Sequence, residues 1–416
     1  MKLLKLACLL ITATLGLAGF ARAADAPDAI KIGTLYATSG TFANTSTTTY
    51  RGLQLWAELQ NAAGGVYVKA FDKKLPVKLI AYDDQSDTGT AAALYNRLIT
   101  QDHVDLLVAD MGSVLASVGV PIAREHKQLF FNQTGTGANL FAADNPYTVL
   151  VAAQMSVPWA STLSGFLDSD GAKLGIKKVA LLYATNDFTL TQANTIRAAI
   201  KASGKMEIVF DSGVPTATSN YVTLVNNIAA HEPDAVINLA YPGADIAFLR
   251  AVQDAGASFK MLFTIYAGIE NELVHHAVGD AGVLNTLTYL PPSLHENTVN
   301  FGMALPAFRA AWDKRYANEH MEFGFNALSG YNTGLVLEKT LSVATSLDQL
   351  ELRRAVFSQS GQLKTLGGSF ELRADGAQLG LANLIGQIQK QADGTLKLVP
   401  VYPAADAAAK TIYPRQ

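Results

Sequence analysis

Two hydroxyl side chains, Ser113 and Thr136, stand where apolar segments end and could together hold an anion. Ser113 follows the segment VDLLVADMG, and Thr136 lies in FFNQTGTGANLF, the stretch 130–141. A helix is predicted to begin at Ser113, so its hydroxyl and the free N–H groups of the first turn would suit one carboxylate, with Thr136 beside them. The pattern is equally consistent with a plain helix cap at Ser113 and a turn residue at Thr136.

The same stretch contains Gly135-Thr136-Gly137, which looks like the start of a dinucleotide-binding fingerprint. That fingerprint, G-x-G-x-x-G, requires a third glycine where Leu140 stands here. The loop is therefore not predicted to bind a pyrophosphate.

Four aromatic residues follow predicted strands at the ends where ligands usually bind: Phe42, Phe188, Tyr241 and Tyr266. One such residue alone is more often part of a lobe core. Four of them favour an apolar pocket, because ligand pockets are mostly lined by apolar and aromatic side chains.

Signals for catalysis or for a metal are weak. The nearest match to the nucleophile motif G-x-S-x-G is LASVG, with Leu115 in place of the first glycine, and H-E-x-x-H and Walker A motifs are absent. In a helix, His275 and His276 would point ~100° apart and could not easily chelate one ion. Asp83 and its neighbours in YDDQSD are interpreted as polar loop structure. The sequence thus predicts no enzyme, no metal and no cofactor.

The elements that would position these residues alternate between strand and helix. IKIGTLY, LPVKLIAYDD, VDLLVAD and QLFFN are predicted strands, separated by amphipathic helices, and the rhythm returns from KKVALLYAT to FKMLFTI. Continuous apolar runs suit parallel strands that are covered on both faces. We therefore predict two doubly wound, Rossmann-like α/β lobes, whose facing strand ends form a cleft. Two further helices and the predicted strands SFELRADG, LIGQIQKQ and TLKLVPVYP would return to complete these lobes.

The N-terminus of this 416-residue chain reads as a secretory signal. Lys2 and Lys5 precede an apolar run of roughly 14 residues, too short to span a membrane, and the small residues of ARA place cleavage after Ala23. Residues 1–23 contain the only cysteine, Cys8, so the mature chain would have no thiol or disulfide. Cleavage would change the formal net charge from −3 to −6. An acidic secreted protein without basic clusters is not expected to bind nucleic acid.

Several segments resemble one family over nearly all of the mature chain: IKIGTLYATSGTFAN, RGLQLWAELQNAAGGV, LIAYDDQSDTGTAAALYNRLI, AYPGADIAFLRAVQDAG and AVGDAGV. They resemble the periplasmic leucine/isoleucine/valine-binding protein family, the type I solute-binding components of branched-chain-amino-acid-type ABC transporters. The resemblance implies two lobes that close on a ligand, joined by crossovers near Thr148, Tyr289 and Leu379. The lobes implied are 28–148 plus 290–379 and 149–289 plus 380–403.

The resemblance also implies roles for single residues. The family's carboxylate site falls on Ser113, Gly135 and Thr136, which would make the opening loop a cradle for a small anion. The family's aromatic residue after the first strand falls on Thr45, and its second-lobe aromatics fall on Phe188 and Tyr241.

The family's ammonium-binding glutamate falls on Ala267, with Tyr266 beside it and Glu270 three residues later. Because a buried ammonium needs a carboxylate partner, we expect a carboxylate ligand without an α-ammonium, with an aromatic acid favoured over an aliphatic one. The alternatives are a branched-chain amino acid held through Glu270, or an amide.

The expected function is that of a monomeric periplasmic receptor that delivers a small carboxylate to the membrane permease of an ABC importer. A ligand sensor or regulator on the same fold is an alternative, which the signal peptide disfavours. An enzyme is a further alternative, which the missing nucleophile and fingerprint motifs disfavour.

Overall fold

The computed structural model describes residues 26–295, 298–319, 321–380 and 383–415. The predicted signal segment 1–23 lies outside the described residues. Within these ranges, no helix combines the length and the apolar character needed to cross a membrane.

The first part of the chain builds a parallel sheet. Its elements are β1 (Ile30–Tyr36), α1 (Ala43–Ala62), β2 (Val66–Val68), β3 (Lys73–Leu75), β4 (Val77–Asp83), α2 (Thr88–Thr100), β5 (Leu106–Val108), α3 (Gly112–His126), β6 (Phe130–Asn132) and β7 (Thr148–Leu150). The strands pair in the order β4-β1-β5-β6-β7, and β2 and β3 form a separate hairpin. The carboxyl ends of β5 and β6 therefore lie side by side and bring the loops that follow them together.

The middle of the chain builds a second parallel sheet. Its elements are α4 (Ser156–Phe166), β8 (Lys178–Ala184), α5 (Asp187–Ser203), β9 (Glu207–Val214), α6 (Val222–Ala230), β10 (Ala235–Leu239), α7 (Pro242–Asp254), β11 (Leu262–Thr264), α8 (Tyr266–Ile269), α9 (Asn271–Val283) and β12 (Leu287–Leu290). The strands pair in parallel in the order β9-β8-β10-β11-β12. The predicted loops containing Phe188, Tyr241 and Tyr266 thus leave the same edge of this sheet.

The last part of the chain returns to both lobes. Its elements are α10 (Leu305–Tyr316), α11 (Phe325–Val343), α12 (Gln349–Phe357), β13 (Lys364–Thr365), β14 (Gly368–Ser369), β15 (Leu384–Lys390) and β16 (Leu396–Tyr402). The helices α10 to α12 pack in the core of the first lobe, whereas β15 joins β12 in antiparallel fashion and carries β16 outside it. The expected return of the chain is therefore observed.

One predicted strand is wrong. The segment SFELRADG forms only the end of the short β14 and an isolated bridge between Leu372 and Gln378. The reason is a tight turn, in which Asp375 accepts hydrogen bonds from the side chain of Arg373 and the backbone N–H of Ala377.

The helices α1 and α11 are in very close contact, which fixes the N-terminal half of α11 against α1. A Cβ atom at Gly330 would lie 1.9 Å from the carbonyl oxygen of Thr49, and one at Gly52 would lie 2.0 Å from that of Ala327. Only glycine fits at these two positions, because the backbones approach within the volume of a side chain.

Three passages of chain connect the two sheets, after β7, after β12 and before β15. We propose lobe boundaries at these passages, a few residues from those expected from the sequence. A continuous apolar cluster extends from Leu115 in the first lobe through Phe42 to Tyr241 and Phe248 in the second, so the lobes are in contact across the cleft.

Candidate ligand-binding site

Ser113 joins the two loops that follow β5 and β6. It is buried at the start of α3, and its hydroxyl oxygen accepts hydrogen bonds from the backbone N–H groups of Thr136 and Gly137, both at 3.0 Å. The hydroxyl therefore does not act as a simple cap of its own helix. A hydroxyl oxygen that accepts two bonds still has its own proton to donate, so Ser113 can be a donor to a further group.

The loop around Thr136 has its backbone groups bonded within the protein. The side chain of Asn132 accepts from the N–H of Gly135 at 2.7 Å and donates to its carbonyl oxygen at 2.8 Å. The Thr136 hydroxyl is 2.9 Å from the hydroxyl of Ser156. The backbone N–H groups of Gly135 and Thr136, which the resemblance implied as ligand contacts, thus already have partners, and the hydroxyl protons of Ser113 and of the Thr136–Ser156 pair are left.

Tyr241 reaches from the second lobe to the N-terminus of α3. Its hydroxyl oxygen would lie 2.9 Å from a Cβ atom at Gly112, which has a φ of +82° and begins that helix. Burial raises the pKa of Tyr241, and the backbone N–H groups of Ser113 and Val114 oppose this shift. The phenol therefore lies beside the N–H groups of α3, where the positive end of the helix favours an anion.

Aromatic rings from both lobes line a small cavity of about 20 Å³ at this point. The rings that line it are Trp159, Phe188, Tyr241, Tyr266 and Phe325. Trp159 makes edge-to-face contacts with Phe188 and Phe325, each with ring centroids 6.0 Å apart. Thr134, Thr136 and Asn326 contribute polar groups, and Met111, Gly112 and Ala153 complete the lining. Among the described residues that line this cavity, none is acidic.

Four of the residues predicted from the sequence line the cavity: Thr136, Phe188, Tyr241 and Tyr266. Ser113 does not line it, but its hydroxyl holds the backbone of Thr136 in place. Phe42 lies behind Tyr241, with an edge-to-face contact at 5.0 Å.

Two further predicted residues lie away from this cavity. Thr45 is in the first turn of α1, donates to the carbonyl oxygen of Phe42, and borders two open clefts of about 320 and 470 Å³. Ala267 is fully buried in the short helix α8 and is not among the lining residues of the small cavity.

Sequence reasoning missed Trp159, Phe325 and Asn326. Trp159 is in the helix that follows the first passage between the lobes, and the other two begin α11. The position of these two helix starts, directly after segments that lead into the cleft, is the signal that could have indicated them.

Glu270, left outside the cleft by the sequence register, is buried at the contact between the lobes. Its carboxylate accepts a hydrogen bond from the backbone N–H of Asn326 at 2.8 Å, and it also borders the larger open cleft. Burial raises the pKa of Glu270 to about 8, opposed by the hydrogen bond from the N–H of Asn326 and aided by the nearby carboxylates of Glu322 and Glu272. Glu270 therefore connects the second lobe to the N-terminus of α11.

Two other carboxylates of the second lobe bind the first lobe. Asp187, at the start of α5, accepts from the backbone N–H and the side-chain amide of Asn139 at 3.0 and 2.9 Å. Glu272 accepts from the N–H of Phe323 at 2.9 Å and from Arg309 at 2.6 Å. Contacts at the starts of α5 and α9 therefore hold the lobes together.

The other charged motifs have local partners. Asp87 caps α2 by accepting from the N–H of Thr90 at 2.7 Å, and Asp84 accepts from Ser86. His275 contacts Asp280, whereas His276 contacts Glu322. No group of three or more metal-ligating side chains is found within the described ranges.

Comparisons with known proteins agree with this architecture. A family model described as periplasmic binding protein matches residues 29–394. The "Leu/Ile/Val-binding protein homolog 8" of Brucella suis is 28% identical over 270 residues, which are 64% of this chain and 64% of that protein.

Two solved structures show the same fold. The branched-chain amino acid transporter substrate-binding protein LivJ of Streptococcus pneumoniae, in complex with isoleucine, superposes with a TM-score of 0.73 at 19% identity and covers 93% of this chain and 100% of its own. A solute-binding protein of an ABC transporter from R. palustris, in complex with benzoate, gives 0.72 at 20% identity, with 92% and 98% covered. The predicted fold class is thus confirmed, and the chain belongs to the periplasmic binding protein family.

Proposed function

We propose that this protein is the extracytoplasmic solute-binding component of an ABC importer and that it captures an aromatic carboxylate between its lobes. The observation that carries the proposal is the cavity at the facing strand ends, which has five aromatic rings and no acidic residue among its described lining residues. Aromatic walls suit a flat ring, and the hydroxyl protons and helix N-terminus beside them suit a carboxylate.

The lining also disfavours an amino acid. An α-ammonium enclosed between closed lobes needs a carboxylate or several acceptors, because an unpaired buried charge is heavily penalised. Ala267 stands where the family places its glutamate. The carboxylate of Glu270 already accepts a hydrogen bond from the backbone N–H of Asn326. The relatives with solved structures include one bound to isoleucine and one bound to benzoate, which supports both ligand classes as compatible with the fold.

A cavity of about 20 Å³ is far smaller than the ~300–1,000 Å³ typical of ligand pockets. The lobes must therefore move apart, or Tyr241 must rotate, before a ring can enter. Three passages between the lobes permit a hinge motion of the kind seen in periplasmic binding proteins. The ligand would then be captured when the lobes close, and the permease would bind the closed form.

A branched-chain amino acid remains the second candidate, because one observation favours it. Glu270 is a buried carboxylate with a hydrogen bond to one backbone N–H, and a ligand ammonium would be a suitable partner for its remaining lone pairs. In that case the ammonium would lie toward the larger open cleft rather than among the rings.

A thermal-shift screen of the mature protein against aromatic acids, aliphatic acids and amino acids tests the proposal. A ligand at 100 times its dissociation constant should add ~2.7 kcal/mol to the free energy of unfolding. We expect stabilisation by benzoate-type acids. Stabilisation by leucine or isoleucine, with none by any aromatic acid, would contradict it.

The place and partners of the protein follow from the same proposal. Export by the segment 1–23 would deliver it to the periplasm as a monomer, where the permease is its membrane partner. Mass spectrometry of the secreted protein checks this, because cleavage after Ala23 would leave Ala24 as the first residue.

A further inference from the structure

Three buried side chains on the wall of the small cavity have a hydrogen-bonding group without a partner among the described residues: the hydroxyl of Tyr241, the indole N–H of Trp159 and the side-chain amide N–H₂ of Asn326. The Tyr241 hydroxyl lies at the N-terminus of α3, on the side given to the carboxylate, and it can accept as well as donate. The other two groups can only donate, and their residues are 3% and 1% exposed. Buried polar groups almost always have a partner, and leaving one unpaired costs free energy. Unpaired donors that line a ligand cavity therefore indicate that the ligand supplies hydrogen-bond acceptors.

Both donors are held in place by the surrounding structure. The Trp159 ring packs edge-to-face on Phe188, Phe325 and Tyr289, with the last centroid at 5.2 Å. Asn326 is in the first turn of α11, where its backbone N–H is bonded to Glu270. Both side chains are buried in this form and line the cavity, so a ligand in the cavity is placed to supply their acceptor.

The two donors come from different elements than the groups assigned to the carboxylate. Trp159 comes from α4 and Asn326 from α11, whereas Ser113 and Thr136 come from the loops after β5 and β6. An indole nitrogen can only donate, and an amide nitrogen adds only donors. A ligand with an ammonium would place further donors against them, whereas a second oxygen would satisfy them.

We propose that the ligand is an aromatic acid with a second, ring-borne oxygen that accepts hydrogen bonds from Trp159 and Asn326, such as a hydroxyl or carbonyl substituent. These two residues then determine specificity among aromatic acids. The inference rests on the proposed function, because it assumes that an aromatic carboxylate occupies the cavity. It adds that unsubstituted benzoate leaves two donors unpaired.

Calorimetry with benzoate, the three hydroxybenzoates and the three methylbenzoates tests the inference. A methyl group nearly matches a hydroxyl in size but cannot accept a hydrogen bond. At the best ring position, we expect the wild type to bind the hydroxybenzoate at least ~10-fold more tightly than the methylbenzoate. In Trp159→Phe and Asn326→Leu this ratio should fall toward one.

Trp312→Phe is the matched control, because Trp312 is a buried tryptophan in the first-lobe core whose indole N–H has a partner, the carbonyl oxygen of Met321. This variant should keep the wild-type ratio. Tight benzoate binding with equal affinity for hydroxy and methyl analogues would overturn the inference and leave the proposed function standing. Absence of binding by every aromatic acid, with binding of leucine, would overturn both.

Discussion

At the scale of single residues, Ser113 does the most to shape the site. It accepts two backbone N–H groups of the neighbouring loop and keeps a proton to donate. Ser113→Ala removes both the acceptor for these two N–H groups and the donor to the ligand. A hydrogen bond to a charged group contributes ~1.5–3 kcal/mol. We therefore expect affinity for the ligand to fall by roughly tenfold or more, measured by calorimetry.

Ser117→Ala is the control for that variant, because Ser117 is on the same helix but exposed, with its hydroxyl bonded to the carbonyl oxygen of Val114. It should bind as the wild type does. If Ser113→Ala binds as tightly as this control, the hydroxyl is only structural and the anion site lies elsewhere.

The sequence predicted some residues of the site and missed others. Ser113 and Thr136 stand out because polar residues end apolar runs, a local signal. Their partners are not local, since Ser113 bonds a loop 23 and 24 residues away. For Trp159 and Asn326 the sequence offers only their position near helix starts. A tryptophan or asparagine in a helix is most often explained by packing or solvent, and only the contact between the two lobes brings these residues together.

At the scale of elements, the start of α5 in the second lobe is hydrogen-bonded to the first lobe. Asp187 bonds the backbone N–H and side chain of Asn139 across the lobes. Asp187→Ala should destabilise the closed form and speed ligand release by several-fold, since each net hydrogen bond contributes ~0.5–1.5 kcal/mol. Stopped-flow measurement of dissociation checks this.

Asp170→Ala provides the comparison, because Asp170 pairs with Lys173 on the same lobe. Its release rate should not change. Equal release rates in the two variants would show that the α5 contact does not hold the lobes closed.

Strand and helix alternation was readable along the chain because each parallel strand is buried on both faces and each helix has one apolar face. For the last strands, the sequence predicted a return to the lobes but not which strand they pair with. β15 lies beside β12 through pairing of Leu287 with Gln387, a contact between residues 100 positions apart that no local pattern encodes.

At the scale of the whole molecule, closure should depend on pH through Glu270. In the closed form burial raises its pKa to about 8, whereas an exposed glutamate in an open form would have a pKa of ~4.3. Closing then takes up a proton, so the closed form is favoured at low pH and loses this advantage as pH rises toward 8. Ligand affinity should therefore increase as pH falls from 8.5 to ~6, a range that leaves a benzoate-type carboxylate ionised.

Glu270→Gln isolates this effect, because the amide is neutral throughout and its oxygen can still accept from Asn326. Calorimetry across that pH range should give a much flatter profile for this variant. An identical pH dependence in both proteins would assign the effect to other groups.

The central claim is that the closed cleft selects an aromatic carboxylate rather than an amino acid, and direct titration calorimetry of the mature protein tests it. Benzoate and 4-hydroxybenzoate should bind with a stoichiometry of about one, as expected for a single interlobe site, and leucine should give no heat beyond dilution. Tight binding of leucine together with no response to either aromatic acid would contradict the account and assign the cleft to an amino acid held through Glu270.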